Sequence, residues 1–445
     1  MKVLKFGGTS VGNARRIRNL AQIIPTNEPI VVVLSAMSGT TNSLIEIVDE
    51  ATKGKTEKAI ELLKNLEEKY YITSSELFHT GMYIKRGEEF IRDMFYNASK
   101  KIAKEFSVKN YNEVVALGEL LSTGLFQMYL TEMGKNSAFI PALSFMRVDV
   151  KHEPDFFYIN ENLQRLLGAY IETKIFITQG FICINALGEV DNLGRGGSDY
   201  TAAIIGNVLN AKEVQIWTDI DGIHNNDPRF VDETTPLREL SFEEAAELAY
   251  FGAKILHPAT IYPCSNKGIP VILKNTLEPN DAGTVISKAY NPSGVKAVAA
   301  KDDITAIKIR SSRMLMAHGF LKKVFEVFDE FSTSVDMITT SEVAVSLTID
   351  SKKNLAQILN KLKEFSTVEV DENQTIICIV GDFVAEKTGS AAAVFSTLKD
   401  IPVRMISYGG SSHNISILVS SNHKINALRA INRVVNQKLL TTTEC

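Results

Sequence analysis

Cysteine is scarce in this chain of 445 residues. The four present, Cys183, Cys264, Cys378 and Cys445, form no CxxC pair and no zinc-ligand spacing. That excludes a disulfide framework and reads as reduced thiols in a cytoplasmic protein. Long apolar runs are missing too: no stretch reaches the ~18 residues a membrane-crossing helix needs. Met1-Lys2-Val3-Leu4-Lys5 enters a strand at once, without a signal-peptide core. Neither sign of charge dominates; the formal net charge of -4 disfavours a general nucleic-acid or membrane-surface binder. There is no GxxxxGK[ST] loop and no HRD or DFG set, so the familiar nucleotide-binding folds are disfavoured.

What is present is a globular composition, 45% hydrophobic and 22% charged, long enough for two or three domains. One stretch organises it: Leu193-Gly194-Arg195-Gly196-Gly197-Ser198-Asp199-Tyr200-Thr201-Ala202-Ala203. Glycines permit positive φ and close backbone approach. The N–H groups at the start of the following helix lack partners and favour an anion. The plainer alternative is a glycine turn with Ser198 or Asp199 as helix N-cap.

Strand, small-residue loop and helix then recur along the chain. Residues 3–6 lead to Gly7-Gly8-Thr9-Ser10 and a basic helix over 14–24. The apolar run 30–34, a strand buried on both faces, ends at Ser35-Ala36-Met37-Ser38-Gly39-Thr40-Thr41-Asn42. This is the grammar of a parallel α/β sheet, whose ligands sit outside the carboxyl ends of the strands. Residues 51–115 read as several helices. Residues 114–122 read as a strand running into a helix with Glu119 at the junction. Further strands are expected at 175–184, broken by Gln179-Gly180, at 214–217 before Thr218-Asp219, and at 269–274. An amphipathic helix is expected over 242–256. Residues 275–294 read as a linker. Beyond it lies an internal repeat. Helices at 319–331 and 391–398, strands at 334–338 and 402–406, strands at 345–349 and 415–419, and helices at 354–365 and 424–435 correspond. With strands at 305–310 and 375–380, each copy reads as a ferredoxin-like βαββα unit, whose strands are able to pair edge to edge.

The polar loops carry the chemistry. Lys5, before two glycines, suits a phosphate whose oxygens the glycine amides hold. Arg195 offers a planar fork for a carboxylate. Glu119 suits an ammonium group, Asp199 suits holding Lys5, and Ser35, Thr41 and Ser198 supply hydroxyls. Each, taken alone, also has an ordinary structural reading as a surface lysine, a helix-start acid or a cap.

Taken together, Lys5-Phe6-Gly7-Gly8-Thr9-Ser10, Gly118-Glu119, Gln179-Gly180-Phe181, residues 193–203, Trp217-Thr218-Asp219-Ile220-Asp221-Gly222 and Gly252-Ala253-Lys254-Ile255-Leu256-His257-Pro258 resemble the aspartate kinases. The resemblance covers essentially the whole chain. It implies an amino-acid-kinase fold, an αβα sandwich on a mostly parallel sheet, over residues 1–290. Two ferredoxin-like ACT units follow, 300–375 for effector binding and 376–445, interleaved with one another. It implies phosphoryl transfer from MgATP to the β-carboxylate of L-aspartate. Lys5, Gly7, Gly8 and Asp199 take catalytic roles. Ser35, Thr41, Glu119, Phe181, Arg195 and Ser198 form the aspartate pocket. Lys5, Gly7, Gly8, Thr218, Asp219, His224, Arg229 and Lys254 face ATP, His224 standing where relatives often carry tyrosine. Mg²⁺ is expected on the ATP phosphates and water, with no protein ligand named.

Ser334-Val335-Asp336-Met337-Ile338-Thr339-Thr340-Ser341-Glu342-Val343 resembles the effector loop of lysine-inhibited members. That implies L-lysine as allosteric inhibitor, held by Ser334, Val335, Asp336, Thr340, Ser341 and Glu342, with Met314, Gly319 and Leu321 at its carboxylate. Threonine or methionine is an alternative effector. The matching loop Ser407-Tyr408-Gly409-Gly410 lacks both acids and is expected to be structural. A homodimer through the ACT units, or a tetramer, follows from the resemblance, with no fused homoserine dehydrogenase, nucleic acid or membrane partner. Rival readings are another amino-acid-kinase-fold enzyme, acting on N-acetylglutamate, glutamate or a nucleoside monophosphate, and an inactive amino-acid sensor.

Overall fold

The computed structural model places two short apolar runs, β1 (Lys2–Phe6) and β2 (Ile30–Leu34), side by side and parallel in an eight-stranded sheet. It describes all residues except 104–105, 253–255, 257, 289–293, 312–317, 383–388 and 442–445. Every residue of β2 is buried, as an unbroken Ile-Val-Val-Val-Leu run requires of a strand covered on both faces. The chain divides into two units. One comprises Met1–Gly222, Arg238–Phe242 and Leu256–Lys288; the other comprises Ile223–Leu237, Glu243–Ile255 and Ala289–Cys445. Each unit thus takes segments from separate parts of the sequence.

In the first unit α1 (Ala14–Ile23) follows β1, starting at Asn13, whose side chain accepts the Arg16 N–H. It buries Ala14, Ile17, Leu20 and Ala21, one stripe at helical spacing. After β2 come α2 (Thr40–Thr52), α3 (Thr56–Leu77), α4 (Gly81–Ile102), α5 (Val108–Val115) and α6 (Leu117–Glu132). Then follow β3 (Ser137–Phe139), α7 (Phe156–Gly168), β4 (Ile175–Gln179), and a small ribbon of β5 (Ile182–Ile184) and β6 (Val190–Asn192). The unit continues with α8 (Gly197–Val208), β7 (Val214–Thr218) and β8 (Glu239–Ser241). Helix α9 (Phe242–Tyr250) passes between the units in sequence. Helix α10 (Pro258–Lys267), β9 (Val271–Asn275) and β10 (Thr284–Ser287) complete the first. The strand order is β3-β4-β2-β1-β7-β9-β10-β8. The first six strands are parallel; β10 runs antiparallel to β9.

The period of two along a strand sorts the side chains. Leu4, Phe6, Ile30, Val32 and Leu34 pack into one core with α1 to α6. The odd-numbered residues of β1 point the other way, toward the face on which α8 lies against β1, β2 and β7. Lys5 is on that second face.

Four expectations change here. Residues 114–117 are helical, α5 passing into α6 through an αR Ala116. The β-branched Val114-Val115 pair favours a strand locally, but burial of one continuous helical stripe overrides it. The stretch Lys109–Glu132 is, by length and composition, long and apolar enough to cross a membrane, and 72% of its apolar 18-residue window is buried inside the chain's own fold. The segment read as a linker contains β10, whose Thr-Val-Ile-Ser sequence extends the sheet. Finally, α8 begins at Gly197 with Gly196 as N-cap at φ 73°. Ser198 and Asp199 are therefore in its first turn and do not cap it.

The second unit has one six-stranded sheet, ordered β12-β13-β11-β14-β16-β15. Strands β11 (Gly294–Arg310) and β14 (Thr367–Asp382) are long and pair antiparallel along their length, with irregular register near 301–306. One half adds β12 (Ile338–Thr340) and β13 (Ala344–Ile349), with a core shared by α11 (Phe320–Glu330) and α12 (Leu355–Lys363). The other half adds β15 (Met405–Tyr408) and β16 (Asn414–Ser420), with a core shared by α13 (Ser390–Thr397) and α14 (Lys424–Thr441). Each long strand serves both halves, which leaves neither half an unpaired inner edge. The strand expected at 334–338 starts only at Ile338. Before it the pairing is irregular: the Thr348 hydroxyl accepts the Met337 N–H, while the Asp336 N–H and the Met337 carbonyl bond the Thr348 backbone.

Candidate active site

Parallel strands end at the same edge, so the loops after β1, β2, β4 and β7 converge there. Lys5 and Asp199 meet in this region: Nζ to Oδ1 is 2.5 Å, with side chains 11% and 13% exposed. The strand period turns Lys5 toward α8, and the early start of α8 places Asp199 in its first turn. Gly196 is left-handed and no side chain caps the helix; the Gly197 N–H bonds the Gly194 carbonyl, while among the described residues those of Ser198 and Asp199 have no acceptor and are open to an anion.

The two glycines after β1 differ. Gly7 donates its N–H to the Trp217 carbonyl (3.1 Å), so that amide is already spent on β7. The Gly8 N–H has no acceptor among the described residues. A Cβ on Gly8 would come within 2.9 Å of the Ala36 carbonyl oxygen, so glycine is what lets this loop close on the one after β2. There the Ser38 N–H donates to the Gly8 carbonyl and the Ser35 N–H to that of Phe6.

Glu119 reaches the same loop from the start of α6. It is 3% exposed, and its Oε1 accepts the Ala36 N–H at 3.1 Å. Its Oε2 is buried and without a partner. Burial pushes its carboxyl up to about 8, against the pull of the Ala36 N–H and its own backbone N–H. A buried acid with one unfilled oxygen is poised to take a cation.

The loop after β4 closes onto α8. A Cβ on Gly180 would lie 2.5 Å from the Ser198 Cβ. Phe181 holds φ at 68°, uncommon for a bulky residue and costly unless its surroundings enforce it. They do: its N–H donates to the Thr201 hydroxyl, its carbonyl accepts from Leu193, and its ring covers Gly197. Arg195 is exposed and makes no ion pair among the described residues. Thr41 is half-buried in the first turn of α2.

Thr218 and Asp219 stand at the end of β7, the threonine hydroxyl donating to the aspartate (3.2 Å). Of the other residues assigned to ATP, Lys5, Gly7 and Gly8 share the first unit with them. His224 and Arg229 belong to the second. His224 bonds Thr234, and Arg229 is forked onto Asp227 at 2.6–3.1 Å. Lys254 lies outside the described residues. A groove of about 870 Å³ beside α1 is lined by Arg15, Arg16, Trp217, Thr276 and Asn280, among others. It contains none of the predicted residues, and its exposed polar walls lack the buried charges found around Lys5.

Bracing residues are what the sequence reading missed. Thr201 also donates to the Gly197 carbonyl (2.8 Å), Ser122 to that of Ser35 (2.8 Å), and Thr40 pairs with the buried Tyr70 hydroxyl (3.0 Å). The only signal available was a hydroxyl residue inside an apolar helix. Among the described residues no three His, Cys, Asp or Glu side chains cluster as a metal site.

In the proposed effector loop, Asp336 is no solvated acid. Its side chain is 1% exposed and accepts from Lys301 Nζ (2.7 Å) and the Tyr250 hydroxyl (2.8 Å). Glu342, Ser341, Thr340, Ser334 and Leu321 are exposed, and Val335 is half-buried. Gly319 is the left-handed N-cap of α11. Met314 lies outside the described residues.

A family model described as the amino acid kinase family matches residues 1–275, and an ACT domain model matches residues 377–435. The chain is 34% identical to lysine-sensitive aspartokinase 3 of Escherichia coli, over 94% of this chain and 95% of that one. The solved structure of E. coli aspartokinase III with aspartate and ADP superposes with a TM-score of 0.82 at 33% identity, covering 97% of this chain and 99% of the other. The same enzyme with lysine and aspartate gives 0.82 at 34%, covering 98% and 99%.

Proposed function

The chain belongs to the amino acid kinase family and, within it, to the aspartokinases, and on that premise we propose how it works. It transfers the γ-phosphoryl group of MgATP to the β-carboxylate of L-aspartate, giving 4-phospho-L-aspartate, and is inhibited by L-lysine. This is the first step toward lysine, threonine and methionine. The observation that carries the reading is the Lys5–Asp199 pair beside Gly7 and Gly8 at the carboxyl ends of parallel strands.

The nucleophile is already an anion, so no general base is required. Catalysis is positioning and charge neutralisation. Lys5 meets the charge on the moving phosphoryl group, and Asp199 holds its ammonium in place. The free Gly8 amide donates to a phosphoryl oxygen; Gly7 contributes closeness, its own amide being bonded to Trp217. Arg195 clamps the α-carboxylate of aspartate, and Glu119 takes its ammonium on Oε2. Ser35, Thr41, Phe181 and Ser198 complete the pocket. Thr218 and Asp219 border the nucleotide. The roles of His224, Arg229 and Lys254 toward ATP rest on family resemblance alone. Mg²⁺ comes with ATP and neutralises its phosphate oxygens. The lone carboxylates here suit an ion carried by phosphates and water better than a protein cage.

The catalytic domain extends to about residue 290, and the interleaved ACT units follow it. Lysine binds the first through Ser334, Val335, Asp336, Thr340, Ser341 and Glu342, with Met314, Gly319 and Leu321 at its carboxylate. The protein is cytoplasmic and assembles through its ACT units as a homodimer or tetramer, which sedimentation with and without lysine distinguishes.

Hydroxylamine trapping of the acyl phosphate tests the reaction. Aspartate must give hydroxamate in preference to glutamate and N-acetylglutamate; the reverse preference defeats the assignment. Inhibition that is absent at millimolar lysine, or unchanged in Glu342→Ala, removes the regulatory half.

A further inference from the structure

Arg195 stands between two left-handed glycines, Gly194 at φ 70° and Gly196 at φ 73°. Glycine allows that turn but leaves the backbone more freedom than any other residue would. The arginine is also exposed, so packing does not hold it. Its place is set by the anchors on either side. Downstream, the Gly197 N–H donates to the Gly194 carbonyl (3.0 Å) at the start of α8. Upstream, the Leu193 N–H donates to the Phe181 carbonyl (2.8 Å), and the Gly194 N–H donates to Asn192 Oδ1 (3.0 Å).

Asn192 is itself held. Its Nδ2 donates to Asn112 Oδ1 (3.2 Å), and Asn112 Nδ2 donates to Asp191 Oδ1 (3.2 Å). The two ends of this chain of bonds dictate its direction. The Gly194 N–H only donates and the Asp191 carboxylate only accepts, so each amide between them has one orientation. Asp191 Oδ1 also accepts the Asn192 N–H (2.8 Å), and His152 Nε2 lies 3.0 Å from the Asn192 carbonyl. Asn112, Asp191 and Asn192 are all half-buried. Asn112 is on α5, which packs against β6 and runs on into α6 through the αR Ala116. Helix α6 carries Glu119.

We propose that Asn112 and Asn192 are positioning residues for Arg195, which keep its guanidinium in register with Glu119. The carboxylate and ammonium of an α-amino acid share one carbon, so the groups that bind them must keep a fixed separation. Arg195 and Glu119 come from segments far apart in the sequence. Asn112 ties the arginine's loop to the helical run that holds Glu119, and Asn192 carries that tie to the amide next to the arginine. Neither asparagine touches the substrate. The α-carboxylate keeps its charge throughout phosphoryl transfer, so a loosened arginine raises KM for aspartate and spares kcat.

Both asparagines act through the proposed role of Arg195, and a double-mutant cycle in the full chain separates failure of that role from failure of theirs. Arg195→Ala is expected to raise KM for aspartate about tenfold or more, the scale of a lost bond between charged groups. An unchanged KM removes the arginine's role and theirs with it. Asn112→Ala is expected to raise KM for aspartate about threefold to tenfold, the net worth of about one hydrogen bond, with kcat and KM for ATP within about twofold of the parent. A parent-like KM for aspartate, or an equal rise in KM for ATP, overturns the positioning role while the arginine's role stands. Added to Arg195→Ala, Asn112→Ala is expected to raise KM no further. A second rise as large as in the parent background shows that Asn112 acts elsewhere and overturns the role too. Asn192→Ala leaves the Asn112–Asp191 bond in place and is expected to give the same pattern. It decides the matter if Asn112→Ala does not fold, and a parent-like KM for aspartate there counts as refutation.

Discussion

Replacing Glu119 with glutamine tests the aspartate site through its protons. The ordinary glutamate value is 4.5 and burial raises this one to about 8. At pH 7 about one empty site in ten is ionised. Aspartate's ammonium needs the ionised form, so well below pH 8 each further pH unit costs binding about 1.4 kcal/mol, a factor of about ten. KM for aspartate should therefore rise about fivefold from pH 8, where half the empty sites are ionised, to pH 7, and about 0.9 proton should be released on binding at pH 7. Calorimetry in buffers of different ionisation enthalpy counts that proton. In Glu119→Gln the pH slope should vanish and KM should rise about 30-fold or more, as a bond between charged partners is lost. The stability effect has the opposite sign. Between 4.5 and 8 the folded chain keeps a proton that the unfolded chain has lost, so the parent loses stability as pH rises through this window. The shift corresponds to at most about 5 kcal/mol. Glu119→Gln should match the parent in urea melts near pH 4.5 and exceed it at pH 8. A parent KM that stays flat from pH 6.5 to 8, or an equal slope in the variant, refutes the argument.

Other expectations follow from the same geometry. Lys5→Met and Asp199→Asn should each lower kcat by about 10²–10³ while KM for ATP changes less, since they act on charge that develops in transfer; steady-state kinetics decide, and an Asp199→Asn enzyme as fast as the parent contradicts the role. Gly180→Ala forces a Cβ to within 2.5 Å of that of Ser198, so it should destabilise by about 1–3 kcal/mol in denaturant melts and raise KM for aspartate. Unchanged values of both would show that the loop after β4 gives way freely. Tyr70→Phe removes the buried bond to Thr40 and should cost about 1–2 kcal/mol by the same melts, with an unshifted midpoint counting against it.

The sequence by itself determined the local grammar of this protein. Val3 to Phe6 and Ile30 to Leu34 read as buried strands, because they are short, rich in β-branched or aromatic residues and bounded by turn residues. The glycine loops after them had to approach something closely. The two matching blocks after residue 300 were legible because each repeats the same order of helix and strand. Local preference failed where long-range burial outweighed it. Val114 and Val115 are helical because one buried stripe runs through α5 and α6. Residues 284–287 joined the sheet because β9 offered them an open edge. Only the tertiary structure decided the electrostatics. Gly7 spends its amide on a carbonyl some two hundred positions away, Glu119 loses its water to helices packed around it, and Asp336 finds Lys301 and Tyr250 across a sheet. Burial and partnership are properties of what lies nearby in space, and spacing along a chain does not encode the local dielectric.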